Sequence, residues 1–138
     1  MGTTVPNLSV KRAVLLVGHG SKLVGSSSAL DQVITELQKR EPATLFQAAF
    51  LELQSPSIPE AIELCLNRGS DEVIVIPYFV QLGRHVVQDI PKIIAEAQAK
   101  HPAQNIRLAR YLDFDERIVS VVMDRILETR ESTKAVRK

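Results

Sequence analysis

A chain of 138 residues with 45% apolar side chains can bury the core of one domain, which excludes an intrinsically disordered segment. Seventeen basic against 16 acidic residues leave a net charge of +1, without the strong basic field of a nucleic-acid binder. The single cysteine, Cys65, excludes an internal disulfide scaffold, and its apolar surroundings AIELCL read as a helix stripe burying a structural thiol.

Aromatic residues are only 4% of the chain and tryptophan is absent, so the core is expected to be aliphatic. The opening MGTTVPNLSVKR has no apolar h-region and no long apolar run follows. The expectation is a cytoplasmic protein with no leader and no membrane contact. Residues 1–11 are read as a flexible N-terminus, 12–129 as one domain and 130–138 as a loose tail.

Short β-branched runs alternate with longer amphipathic ones. Residues Arg12 to Val17 form a buried strand that runs into Gly18-His19-Gly20-Ser21. Leu30, Val33, Ile34 and Leu37 recur at helical spacing between about Ser27 and Arg40, and Pro42 ends that helix. A second strand covers Leu45 to Leu51, with Glu52 at its carboxyl end. Ser57-Ile58-Pro59-Glu60 is a capping box that starts a helix to about Asn67, where Gly69 supplies a left-handed stop. Glu72 to Pro77 is continuously apolar after its first residue, the pattern of a central parallel strand covered on both faces. A loop from Tyr78 to Arg84 precedes a helix from about Val86 to Lys100, stopped by His101-Pro102. A weaker strand over Ile106 to Ala109 and a last helix, capped near Asp113 and ending about Glu128, complete four βα units. No internal repeat stands out. This order predicts an α/β, doubly wound, three-layer domain on a four-stranded parallel sheet with right-handed crossovers.

Open sheets of this kind bind ligands beyond the carboxyl ends of their strands. His19, Glu52, His85 and Asp113 fall there. Two neutral imidazoles, His19 and His85, make a partial shell for a first-row divalent metal; a closed structural zinc site needs four ligands. Glu52 reads as a third ligand, a proton acceptor or the partner that orients a histidine; a solvated edge carboxylate is the plain alternative. Lys22 and Arg84 flank the histidines and suit substrate carboxylates. His101 reads as a surface cap. The glycines around His19 could also cradle phosphate, but the third glycine of a dinucleotide loop is replaced by Leu23 and no Gly-Lys-Ser follows.

The stretches LLVGHGSK (15–22), AFLELQSPSIPEAI (49–62) and VIPYFVQLGRHVVQDIP (75–91), in this order, resemble the short class II chelatases of the CbiX and SirB type, which metallate sirohydrochlorin. YLDFDERIVSVVMDRI is similar to the family's ending, so the likeness runs from about 12 to 128. The resemblance implies a chelatase-like, flavodoxin-like fold and a homodimer for a single-unit chain. It also implies ATP-independent insertion of Co²⁺, Fe²⁺ or Ni²⁺ into sirohydrochlorin, in sirohaem or cobalamin biosynthesis. The metal is a substrate, and no permanently bound cofactor is expected. His19 and His85 match the metal-binding histidines, with His19 also the proton acceptor. Val80, Gln81, Leu82, Gly83 and Arg84 match the substrate-lining loop. Ser55 stands where some members carry a substrate-binding glutamate. A non-catalytic carrier of metal or tetrapyrrole is the alternative.

Overall fold

A computed structural model of the chain describes residues 11–20 and 29–131. Its strands are β1 (Arg12–Gly18), β2 (Leu45–Phe50), β3 (Glu72–Pro77) and β4 (Asn105–Leu108). The helices are α1 (Ala29–Arg40), α2 (Ile58–Asn67), α3 (Arg84–Lys100) and α4 (Glu116–Glu131). The sheet is parallel throughout, in the order β2-β1-β3-β4. The chain therefore steps outward from β1 to β2, crosses back over β1 through α2, and continues to β3 and β4.

The expected alternation and most boundaries hold. The capping box is present: Ser57 Oγ accepts from the Glu60 amide at 3.3 Å, and Glu60 Oε1 accepts from the Ser57 amide at 2.9 Å. Gly69 has φ +96°, the left-handed conformation that favours glycine. Two boundaries shift the site residues. Strand β2 ends at Phe50, so Glu52 lies beyond it, and α3 begins at Arg84, so His85 sits inside its first turn.

Register explains the core. Ala13, Leu15 and Val17 of β1 share a sheet face with Val73 and Val75 of β3, and all five are buried. Ile58, Ile62 and Cys65 of α2, with Ile90 and Ile94 of α3, close that face. Burial pushes the Cys65 thiol up to about 11, so it is a packing group.

The opposite face differs from expectation. Helix α1 packs on β1 and β2, and among the described residues no helix packs on β3 there. Ile74 and Ile76, which point to that face, are only half-buried. An apolar run records burial potential without showing which element supplies the cover.

Both edge strands are entered by the same device, although no repeat was evident in the sequence. Gln38 donates to the Thr44 carbonyl at 2.7 Å and accepts from the Phe46 amide at 3.3 Å. Gln98 donates to the Gln104 carbonyl at 2.7 Å and accepts from the Ile106 amide at 2.9 Å. Each glutamine is followed four residues later by Pro-Ala, so QKREPATLF and QAKHPAQNI form one local repeat. His101, read as a surface cap, does more: its Nε2 lies 2.6 Å from Glu63 Oε2 and ties the end of α3 to α2.

At the amino ends of the strands, Glu72 lies between Arg12, at 2.9 Å, and Arg107. Chiefly the Arg12 hydrogen bond, with help from both guanidinium charges, holds the Glu72 carboxyl below the usual carboxylate range. A carboxyl depressed in the folded state stabilises the fold above its unfolded pKa of about 4.3, and that contribution fades as acid protonates it. The melting temperature is expected to fall more steeply below about pH 4 in wild type than in Glu72→Gln. Parallel melting curves of the two proteins against pH would refute a role for Glu72 in acid sensitivity.

Candidate functional site

Strand β1 delivers His19 to the carboxyl edge of the sheet, one residue after Gly18. Backbone bonds then continue the β1–β2 pairing past both strand ends. The Gly18 carbonyl accepts from the Leu51 amide at 3.0 Å, and the His19 carbonyl accepts from the Glu52 amide at 3.2 Å. This lacing sets the side chains together: His19 Nε2 lies 3.2 Å from Glu52 Oε2, and both remain more than half exposed. A carboxylate at this distance fixes which ring nitrogen faces it and favours an imidazolium once a proton has been taken up.

Gly20 is required for that approach. Its φ is +105°, and a Cβ built on it would lie 1.8 Å from the Glu52 carbonyl oxygen. The second glycine of Gly-His-Gly therefore makes room for the Glu52 backbone.

His19 and Glu52 stand at the mouth of a cleft of about 340 Å³. Leu51 together with Val86, Ile90 and Ile93 of α3 form its apolar lining, and Asp89 adds a second carboxylate. Sequence reasoning passed over Asp89. The available signal was the stripe Val86, Ile90, Ile93, which carries Asp89 beside it, four residues after His85.

His85 is exposed on the first turn of α3, immediately before the cleft-lining Val86. It makes no hydrogen bond or ion pair with any described residue. The structure thus pairs His19 with Glu52 and leaves His85 separate. Among the described residues no three His, Cys, Asp or Glu side chains converge as a ready-made metal cage.

The remaining predicted positions surround these groups. Ser55 is exposed on the 51–56 loop, whose base is closed by the Phe50 amide donating to the Pro56 carbonyl at 2.9 Å. The Ser55–Pro56 peptide is cis, and Leu53 on the same loop has φ +67° with its side chain 55% exposed. Val80 and Gln81 are exposed in the β3–α3 connection, Gly83 caps α3 without a side-chain bond, and Arg84 is exposed as the first helical residue. Leu82 lines a separate apolar cleft of about 190 Å³ with Pro77, Val87 and Tyr111. Asp113 lies near neither histidine by any bond; its amide donates to the Phe79 carbonyl at 3.3 Å. Lys22 lies outside the described residues.

A family model described as CbiX matches residues 13–129. The chain belongs to the CbiX family. The sirohydrochlorin ferrochelatase of Priestia megaterium is 30% identical over 117 residues, covering 85% of this chain and 44% of that one. The sirohydrochlorin cobaltochelatase of Sulfolobus acidocaldarius is 32% identical over 112 residues, covering 81% of this chain and 87% of its own. In three dimensions the chain is similar to the cobalt complex of the sirohydrochlorin chelatase SirB from Bacillus subtilis subspecies spizizenii. The TM-score is 0.76 at 29% identity, over 86% of this chain and 51% of SirB. This CbiX-family chain spans about half the length of several of the curated relatives it matches.

Proposed function

We propose that this chain is a sirohydrochlorin chelatase that inserts a divalent metal, cobalt or iron, into the tetrapyrrole without ATP. The observation that carries the reading is the His19–Glu52 pair, 3.2 Å apart at the mouth of the cleft beyond the sheet's carboxyl edge. The names of the relatives, cobaltochelatases and ferrochelatases acting on sirohydrochlorin, support the same chemistry.

Insertion replaces two pyrrole N–H protons by one M²⁺, so each turnover must dispose of two protons. His19 accepts one ring proton at Nδ1, the nitrogen left with a lone pair when Nε2–H faces Glu52, the second proton passes to solvent water, and Glu52 stabilises the resulting imidazolium. Neutral imidazole suits that task near neutral pH, and a positioned base contributes about 10²–10⁴-fold. His85, open to solvent and free of protein partners among the described residues, holds the incoming metal with His19. Two imidazoles leave most coordination positions to water and then to the four ring nitrogens, so the ion can pass stepwise into the macrocycle. Placement of ring and ion together supplies the remaining acceleration. The Val80 to Arg84 loop, Ser55 and Lys22 contact the substrate, with the cationic side chains meeting its carboxylates.

The working unit is the 12–129 domain, acting in the cytoplasm as a homodimer. Among the described residues no helix is long and apolar enough to cross a membrane.

The test is anaerobic absorption spectroscopy of sirohydrochlorin with Co²⁺, Fe²⁺ or Ni²⁺ and sub-stoichiometric protein. Many turnovers per chain are expected, and the relative rates rank the metals. Stoichiometric binding without rate enhancement would replace the enzyme by a carrier.

A further inference from the structure

Carboxylates are costly neighbours for a substrate that itself carries carboxylates, yet the cleft beyond the sheet holds two of them. Glu52 is engaged with His19 at 3.2 Å. Asp89 lines the same cleft from α3, beside the apolar Leu51, Val86, Ile90 and Ile93. It forms no hydrogen bond or ion pair with any described residue. Like charges brought together without a cation weaken binding. A cation that shares the cleft with the ring removes that penalty.

The position of Asp89 fits such a cation. It stands four residues after His85 on α3, so the two side chains share one face of the helix, with Cβ atoms about 5–6 Å apart. Helical side chains lean towards the amino end of their helix, which carries the Asp89 carboxylate back towards His85. Both residues are exposed, but only Asp89 belongs to the lining of the cleft that contains His19. Asp89 thus stands between the outlying imidazole and the site of insertion.

The charge balance gives it a task. The entering ion is doubly charged and hydrated, and the two histidines that hold it are neutral. Stripping its water against Leu51, Val86, Ile90 and Ile93 is costly unless opposite charge lies close. Glu52 faces the imidazolium that forms on His19, so Asp89 supplies the free negative charge. The same charge gives the transfer a direction. Once M²⁺ has replaced two pyrrole protons, the ring nitrogens neutralise it, and the carboxylate loses its hold on the metallated centre. Among the described residues no three His, Cys, Asp or Glu side chains converge at one point, which suits two successive stations better than one cage.

We infer that Asp89 receives the incoming divalent ion together with His85 and passes it into the cleft, to His19 and the ring. It acts on the metal ion and takes no ring proton. This inference rests on the chelatase reading above and adds a residue to it.

Two measurements on the full-length chain test it. In the first, Co²⁺ is titrated calorimetrically into the protein without sirohydrochlorin. Asp89→Asn, which keeps the side-chain shape, is expected to weaken Co²⁺ binding by about 10–100-fold, and Asp89→Glu to recover part of the loss. Glu96→Gln removes the same charge from an exposed position on α3 outside the cleft lining, and is expected to leave binding unchanged. Absence of Co²⁺ binding in wild type, equal affinity in Asp89→Asn, or an equal loss in Glu96→Gln overturns the inference. In the second, metallation rates at varied Co²⁺ are expected to give Asp89→Asn a raised KM for the ion with kcat largely kept. A fall in kcat at unchanged KM for Co²⁺ would move Asp89 to the proton chemistry and overturn its role as metal receiver. The calorimetry uses no sirohydrochlorin. A wild type that binds Co²⁺ through Asp89 yet never metallates the ring would discard the chelatase reading and keep this site.

Discussion

His19→Ala is expected to bring sirohydrochlorin metallation down towards the spontaneous rate, a loss of about 10²–10⁴-fold in kcat from the missing base alone. The side chain is more than half exposed and contributes no core contact, so the melting temperature should hold. That combination separates a chemical role from a structural one. Glu52→Gln keeps the shape of the partner while removing its charge, so a loss in kcat smaller than that of His19→Ala is expected; an unchanged kcat would remove Glu52 from the reaction. His85→Ala should act mainly through the metal, raising the KM for Co²⁺ or Fe²⁺ more than it lowers kcat. Full activity in His19→Ala would remove the proposed base, and unchanged metal dependence in His85→Ala would remove the proposed ligand.

Much of this arrangement was legible before any coordinates. The βα alternation, the Ser57–Glu60 cap and the glycine stop are local features, and each acts through neighbours within a few residues. The placement of His19 beyond β1 follows from topology once the strands are parallel. What could not be read depends on register and on cover. Glu52 meets His19 because the β1–β2 pairing continues past both strand ends, which an apolar run cannot reveal. Asp89 reads as a solvated helix carboxylate until α3 is laid against the Leu51 segment. The glutamine clamps at the two sheet edges depend on side-chain reach across eight residues and escape any pattern based on hydrophobic period. Likewise β3 and α4 carry apolar residues for which the other described residues provide incomplete cover, and periodicity is indifferent to what supplies it.

Gly20→Ala is expected to damage both the fold and the site, although it adds one methyl group. The backbone there has φ +105°, where an L side chain is strained by about 1–3 kcal/mol. The new Cβ would also lie 1.8 Å from the Glu52 carbonyl oxygen, a backbone atom with little freedom to retreat. The Glu52 amide is held to the His19 carbonyl, so any relief moves the Glu52 backbone away from β1 and opens the 3.2 Å side-chain pair. Total destabilisation of about 2–4 kcal/mol is expected, enough to lower the melting temperature by roughly 5–15 °C. Activity should fall even at temperatures where the variant remains folded. Gly83→Ala is the stability control: its φ is −72° and a Cβ there meets nothing within 4 Å. At this helix N-cap, where glycine is preferred over alanine, the same substitution should cost no more than about 1 kcal/mol, well below the loss at Gly20. Equal melting temperatures for Gly20→Ala and wild type would show that the Gly18–Gly20 turn relaxes freely, and the rigid link between that turn and Glu52 would have to be abandoned.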